Sequence, residues 1–373
     1  MAAAIALKKS PFLKVNSSEL AQQLTGLQKA KEKLPLWFNT PKIYYPPKLN
    51  LEQTSSEVTA KYKASLVSGD KLIDLTGGFG IDSFYFAKKF KKVVHCELNP
   101  ELSKIAAHNL KQLGCENIDF TIGDSIEYLK HTDKRFDCIY IDPARRDFTG
   151  ARIFQLEDYL PNVPDNLALL TSKSDLILIK TSPLLDLQAG IKALKHVSEI
   201  HIIAVKNEVK ELLWLLDKSE KDQVKIKTLN FKKNETERFN GSLNLNLQAD
   251  VQYALPQNYL FEPNAAIMKS GLFDDLASKT KTSKLHPNSH LYTSYEIKNF
   301  PGRRFKIKEI QNYKASVLKK MFKGSKANIT TRNFPDTVAQ LRKKLRIKDG
   351  GDTYLFFTTN AKEEKIVINC EKL

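Results

Sequence analysis

The sequence is poor in cysteine and holds no long apolar run. Four cysteines (Cys96, Cys115, Cys138 and Cys370) are scattered through 373 residues with no CxxC pair. That excludes a zinc knuckle and a disulfide framework, and it fits a reducing, cytoplasmic compartment. The seven histidines form no HExxH motif, and Pro287 lies between His286 and His290, so no metal site is expected. The first apolar run, Ala2 to Leu7, ends at Lys8 and Lys9. It is too short for a signal peptide or a membrane span, no later run is long enough, and no membrane partner is expected. Acidic residues are also scarce, with 42 Asp and Glu against 59 Lys and Arg, a net charge of +17. What remains is an ordinary globular mix, 42% hydrophobic and 27% charged, in a chain long enough for two or three domains and a sizeable core.

The basic excess is concentrated at the ends. Residues 70–207 carry a net −1 and residues 208–297 are neutral, whereas residues 1–69 carry +6. Residues 298–373, with 19 basic against 7 acidic side chains, carry +12. A basic module beside a neutral one suggests a polyanion partner, with a nucleic acid the first expectation.

Periodicity divides the chain into four parts. Residues 1–69 read as a helical region, with Leu20, Leu24 and Leu27 at helical spacing, breakers at Pro35, Pro41, Pro46 and Pro47, and a second helix from about Ser55 to Val67. Residues 70–235 alternate short apolar runs with helical ones. The runs are 71–75, 92–98, 118–122, 137–142, 175–181 and 200–205, with 224–231 as a further strand. Strands apolar on both faces that alternate with helices predict a doubly wound α/β sheet. Residues 236–297 read as a small α+β linker module in which 243–255 alternates like a strand. Residues 298–373 read as a basic α+β module with helices over 314–322 and 337–345 and a closing hairpin over 353–358 and 365–370.

The segment LIDLTGGFGIDS (72–83) runs from a strand through a glycine turn into a helix, where free amides and absent side chains admit a ligand. The dinucleotide pattern GxGxxG fails because Ser83 stands at the third glycine, and no GK[ST] follows for a P-loop. Glu97 ends the second strand 17 residues after Gly80, where a carboxylate can accept both hydroxyls of a ribose. Asp124 follows the third strand, suited to an exocyclic amine, and Asp142-Pro143 ends the fourth. Acids at the ends of consecutive strands lie along the carboxyl edge where open α/β sheets bind ligands.

With DLTGGFG, HCELNP, IGDS and YIDPAR in place, residues 55–231 resemble the class I S-adenosylmethionine-dependent methyltransferases. More narrowly, LEQTSSEVTAKYKA, YIDPARRD, LFEPNAAIMKSGLF and RNFPDTVAQLRKKLRIKDGGDTYLFFTT resemble a bacterial group bearing a C-terminal THUMP-like domain. The resemblance implies a Rossmann-like methyltransferase sheet with an N-terminal helical preface and a small C-terminal THUMP-like α+β module. It implies S-adenosyl-L-methionine as cofactor, held by Asp74, Thr76, Gly78, Gly80, Glu97 and Asp124. In that family Gly78 and Gly80 line the amino-acid part, Glu97 holds the ribose and Asp124 the adenine amine. Thr76 stands where the usual first motif has glycine.

The acceptor is expected at Asp142, Pro143 and Arg145. Amino-methylating relatives read (N/D)PP(Y/F/W) there, but Ala144 replaces the second proline and Arg145 the aromatic. Arg145 can stack on a base or grip a phosphate, with a surface ion pair to Asp147 as the plainer reading. No cysteine follows the fourth or fifth strand, and Cys96 and Cys138 lie inside strands as core residues, so carbon methylation by a cysteine nucleophile is disfavoured. In the basic module Arg303, Arg304, Lys306, Lys308, Lys319, Lys320, Lys323 and Lys326 are interleaved with Phe305, Phe322 and Phe334. This mix suits phosphates and unstacked bases, although phenylalanines at these spacings more often form core. The expected function is methylation of structured RNA, an rRNA or tRNA base, with residues 298–373 supplying phosphate contacts. A methyltransferase for a protein or small molecule and a non-catalytic RNA-binding protein that keeps the fold are the alternatives.

Overall fold

A computed structural model describes residues 10, 12, 15–145, 156–218, 223–243 and 251–373. The chain forms two compact units, Met1–Ile200 with Glu211–Asp222 and His201–Lys210 with Gln223–Leu373.

The first unit opens with helix α1 (Ser17–Lys33), whose N-cap Asn16 accepts from the Glu19 amide. Pro35 then starts a helix, Pro35–Asn39, instead of only ending one, because proline's missing N–H has no partner to lose at a first turn. Another helix spans Lys48–Gln53. Helix α2 (Glu57–Ala64) follows, with Ser56 as its N-cap accepting from the Thr59 amide.

The sheet of this unit has strands β1 (Gly69–Asp74), β2 (Phe90–Glu97), β3 (Ile118–Ile122), β4 (Cys138–Ile141), β5 (Leu176–Thr181) and β6 (Glu208–Asp217). Their order is β3-β2-β1-β4-β5-β6. The first five run parallel, with Leu72 against Val93 and Ile73 against Ile139. Helices α3 (Ile81–Ala87), α4 (Pro100–Gln112) and α5 (Ser125–His131) link the early strands, and Val163–Lys173 and Leu187–Ala193 the later ones. Strand order reverses between β1 and β4, which opens a crevice at their carboxyl ends.

Two features differ from the sequence expectation. Helix Val163–Lys173 was not foreseen, and ELLWLL belongs to a strand, β6, antiparallel to β5. The strand before it, Val197–Val205, ends at Lys206 and Asn207, both at positive φ (52° and 63°). This is the mirror-turn geometry that reverses a chain between strands.

In the second unit a hairpin pairs Val224–Phe231 with Thr236–Leu243. Residues 244–250, most of the alternating stretch at 243–255, lie outside the described residues. A seven-stranded sheet runs in the order Ser283–Lys284, Tyr292–Ser294, Tyr259–Pro263, Gly302–Asn312, Lys365–Lys372, Thr353–Thr359, Asn328–Arg332. The hairpin expected from TYLFFT and KIVINC is its antiparallel pair Thr353–Thr359 and Lys365–Lys372. One core cluster gathers Leu260, Phe305, Phe356 and Ile368. The other holds Leu318, Leu341, Leu345 and Phe357, so helices Ala315–Phe322 and Val338–Leu345 share it.

Candidate active site

The glycine turn is fixed from behind. Asp74, buried at the end of β1, accepts from the Thr76 amide at 3.0 Å and from the Ser83 hydroxyl at 2.5 Å. Ser83 also meets Nδ1 of the buried His95 at 3.0 Å. Serine at the third glycine position therefore ties α3 to β1 and β2. Burial pushes Asp74 up to about 7, countered in part by Ser83 and Thr76, and burial pulls His95 down to about 4. Asp74 thus supports the turn from inside the fold.

The turn itself leaves little freedom. A Cβ on Gly77 would come within 2.2–2.5 Å of the His95 ring, and the Gly77 amide donates to the Cys96 carbonyl at 2.7 Å. Gly78 and Gly80 have φ of 57° and 84°, a region that L side chains rarely enter. The Gly78 amide donates to one oxygen of Glu97 and the Asn99 amide to the other, both at 2.8 Å. Glu97 is thereby held at the lip of the crevice with lone pairs still available for a ligand's hydroxyls. Nearby Leu98 and Ile122 are large exposed apolar side chains. Asp124 caps α5 by accepting from the Ile126 and Glu127 amides at 2.8 and 3.2 Å, and it lines a concave surface with Thr121, Gly123 and Tyr128.

Thr76 links turn and acceptor region, since its hydroxyl accepts from the Asp142 amide at 2.7 Å. The Asp142 carboxylate accepts in turn from the Lys180 ammonium at the end of β5. Pro143 is buried, and the backbone of Arg145 pairs with Tyr159. The Arg145 side chain and Asp147 lie outside the described residues, so the stacking and ion-pair readings fall there. Cys96 and Cys138 are buried, and burial pushes the Cys96 thiol up to about 12 and that of Cys138 higher still. Neither has the lowered pKa of a nucleophile.

Behind Asp142 lies a charged cluster that sequence reasoning missed. Lys63, fully buried on α2, sits 3.2 Å from Asp82 and 3.0 Å from Glu211 and donates to the Ser55 hydroxyl at 2.8 Å. Asp82 also accepts from Ser55 at 2.7 Å and from the Tyr140 hydroxyl at 2.9 Å. Burial would raise Asp82, but Lys63 and Lys180 outweigh it and hold the acid below its usual value. Burial would lower Lys180, but Asp142, Glu211 and Asp82 hold it above its usual range. A signal was available, because Lys180 stands at the carboxyl end of an apolar strand by the same rule that singled out the acids.

Among the described residues, no group of three or more His, Cys, Asp or Glu could hold a metal ion, and no helix is long and apolar enough to cross a membrane. In the basic unit Phe305 is fully buried, and Phe322 and Phe334 pack against the core. They act there as core side chains, not as stacking platforms. Buried Glu262 pairs with both Arg303 and Arg332, and Lys308 pairs with Glu371.

A five-strand parallel order, a glycine turn at the switch point and an acid on the next strand define the class I methyltransferase fold. Residues 69–235 match the family described as RNA cap guanine-N2 methyltransferase, 259–301 a ferredoxin-like domain and 302–372 the THUMP domain-like family. The crystal structure of a protein from Porphyromonas gingivalis W83 assigned to the methyltransferases is 33% identical, with a TM-score of 0.88 over 100% of this chain and 94% of that one. The chain belongs to the S-adenosylmethionine-dependent methyltransferases that carry a C-terminal THUMP-like domain. An uncharacterized RNA methyltransferase of Streptococcus pneumoniae is 32% identical over 35% of this chain and 29% of its own length. An uncharacterized S-adenosylmethionine-dependent methyltransferase of Mycobacterium tuberculosis is 28% identical over 44% of each chain. The chain thus spans less than half the length of these two curated relatives. The residues fit the cofactor of this family: a Cβ on Gly78 would meet only the Thr76 carbonyl, at 3.7 Å, so open space lies beside the tethered Glu97, and exposed Leu98 and Ile122 follow Glu97 and precede Asp124 in the chain.

Proposed function

We propose that the chain transfers the methyl group of S-adenosylmethionine to structured RNA. The observation that supports this reading is the hydrogen bonding at the carboxyl ends of β1, β2 and β4, where the Gly78 amide donates to Glu97 and the Asp142 amide to the Thr76 hydroxyl. S-adenosylmethionine, when bound, supplies an electrophilic methyl on a sulfonium. Glu97 would hold the ribose of the cofactor, Gly78 and Gly80 would line its amino-acid part, and Asp124 would meet the adenine amine. Thr76 fixes the backbone of Asp142 to the turn, so the acceptor site and the cofactor site keep one spacing, the proximity that an in-line displacement needs.

RNA is favoured as acceptor by the net +12 of residues 298–373 and by the THUMP-like match over 302–372. We read the protein as cytoplasmic, in keeping with its unpaired cysteines. The domain limits 1–69, 70–235, 236–297 and 298–373 are part of the same proposal. Labelled S-adenosylmethionine, offered with an extract fractionated into RNA, protein and small molecules, tests it. Label is expected in RNA, lost with Asp142→Ala, and falling steeply between 50 and 200 mM salt as phosphate contacts are screened. Label in the protein or small-molecule fraction alone overturns the RNA reading. Tight cofactor binding without transfer to any fraction marks the non-catalytic alternative.

A further inference from the structure

The acceptor atom can be narrowed from what surrounds Asp142. An amine is held for methylation by oxygens that accept its N–H groups, yet the Lys180 ammonium stands beside the Asp142 carboxylate and donates to one of its oxygens. An ammonium has three donors and no acceptor, so it opposes an amino group and suits an oxygen. Glu211 and Asp82 also act on Lys180, but each is paired directly with Lys63. The motif itself lacks the aromatic that would grip a base, with Ala144 exposed in the place of the second proline. Carbon acceptors lack their cysteine, since Cys138 is buried in β4.

We propose that the atom methylated is the oxygen of a ribose hydroxyl in RNA, bound between Asp142 and Lys180. This rests on the RNA reading above and departs from the base acceptor expected from the sequence. Lys180 donates a hydrogen bond to the hydroxyl oxygen and stabilises the negative charge that develops there, while Asp142 accepts the hydroxyl proton. An oxygen lone pair forms the new O–C bond, the electron pair of the broken C–S bond stays on sulfur as a neutral thioether, and the proton passes from Asp142 to water. Both side chains are poised for these roles: three carboxylates keep Lys180 protonated, and Thr76 holds the Asp142 backbone.

The test uses the full-length protein, labelled S-adenosylmethionine and total RNA from a strain lacking this gene. After digestion to nucleosides, mass spectrometry assigns the added methyl to sugar or base, and alkali gives an independent check because a 2′-O-methyl blocks cleavage of the following phosphodiester. A methyl on the ribose is the expected result. A methyl on the base overturns the hydroxyl assignment and leaves the RNA reading standing. No methyl in RNA overturns the RNA reading, and this inference falls with it. Lys180→Met is expected to keep S-adenosylhomocysteine affinity within about threefold by calorimetry and to lose transfer about 100-fold or more. Transfer within tenfold of the parent protein removes Lys180 from the reaction. Should that variant not fold, the product of the unaltered enzyme still decides the acceptor atom.

Discussion

Replacing Lys63 with methionine isolates the electrostatics of the buried cluster. The side chain is fully buried, so Met fills nearly the same volume and removes only the charge and its hydrogen bonds. Two attractions go with it, at 3.2 Å to Asp82 and 3.0 Å to Glu211. At an effective dielectric of about 20, each is worth about 5 kcal/mol in gross Coulomb terms. The ammonium no longer has to be desolvated, which returns several kcal/mol. The remainder is a net loss of about 3–5 kcal/mol, the usual cost of leaving a buried partner uncompensated. Urea unfolding followed by circular dichroism measures it. Lys61→Met is the control, because Lys61 is exposed while its partner Glu57 keeps the Leu36 amide and the Tyr85 hydroxyl as donors, and it should cost no more than about 1 kcal/mol. Adding Glu211→Gln to Lys63→Met should restore part of the loss, since one unpaired carboxylate disappears. A Lys63→Met loss below about 1 kcal/mol, or no larger than that of Lys61→Met, would refute the argument that this ion pair is buried and uncompensated without its lysine.

Gly77→Ala should destabilise by about 1–3 kcal/mol, because its Cβ meets the His95 ring at 2.2 Å and buried His95 has no room to retreat. The same change should weaken S-adenosylhomocysteine binding at least tenfold, read by calorimetry, as the turn shifts the Gly78 amide from Glu97. Asp74→Asn probes two opposed titrations. Asp74 is raised to about 7, so its share of stability is complete below about 4 and lost as pH rises through 7. His95 is lowered to about 4, so its share is complete above about 6.5 and lost as pH falls toward 4. The parent protein should therefore show little pH slope from this pair between 4.5 and 6.5. Asp74→Asn should gain stability with rising pH over that window in urea titrations, and a flat profile would contradict burial of His95 in the neutral form. Leu341→Ala, fully buried in the second core cluster of the basic unit, should cost about 2–5 kcal/mol in the same measurement.

The parallel strands were legible because they are short and, the alternating β3 apart, run apolar on both faces, and because helices after them begin with a readable cap, as at Asp124 or Asn99. Strand β6 was not. ELLWLL has no alternation, and only the left-handed pair Lys206 and Asn207 decides that the chain turns back as a strand. The acids at strand ends were legible for a related reason: strand ends point to one edge. Lys63 and Glu211 were not, because they are 148 residues apart and no local pattern pairs a lysine on a preface helix with an acid on an antiparallel strand. Asp82 reads in sequence as an ordinary first-turn acid, and only burial against Tyr140 and Ser55 distinguishes it.

Those non-local residues decide the charge that the acceptor site presents. Asp82, Glu211 and Asp142 contribute three negative charges and Lys63 and Lys180 two positive ones, leaving −1 on this five-residue cluster. A sulfonium carries +1, so cluster and cofactor together are neutral. Attack by the hydroxyl oxygen, as its proton passes to Asp142, disperses the sulfonium charge over the breaking C–S bond and the Asp142 side, and a buried setting penalises spread charge less than concentrated charge. Without Lys63, the cluster would carry −2 and hold a cationic cofactor more tightly in the ground state, which gains affinity without rate. The buried lysine on α2 thus bears on stability and on turnover through one quantity, the net charge beside Asp142. Lys63→Met, where it folds, should accordingly bind S-adenosylmethionine at least as tightly as the parent while transferring its methyl more slowly. A variant that binds more weakly but transfers at the parent rate would separate the two roles and remove Lys63 from the chemistry.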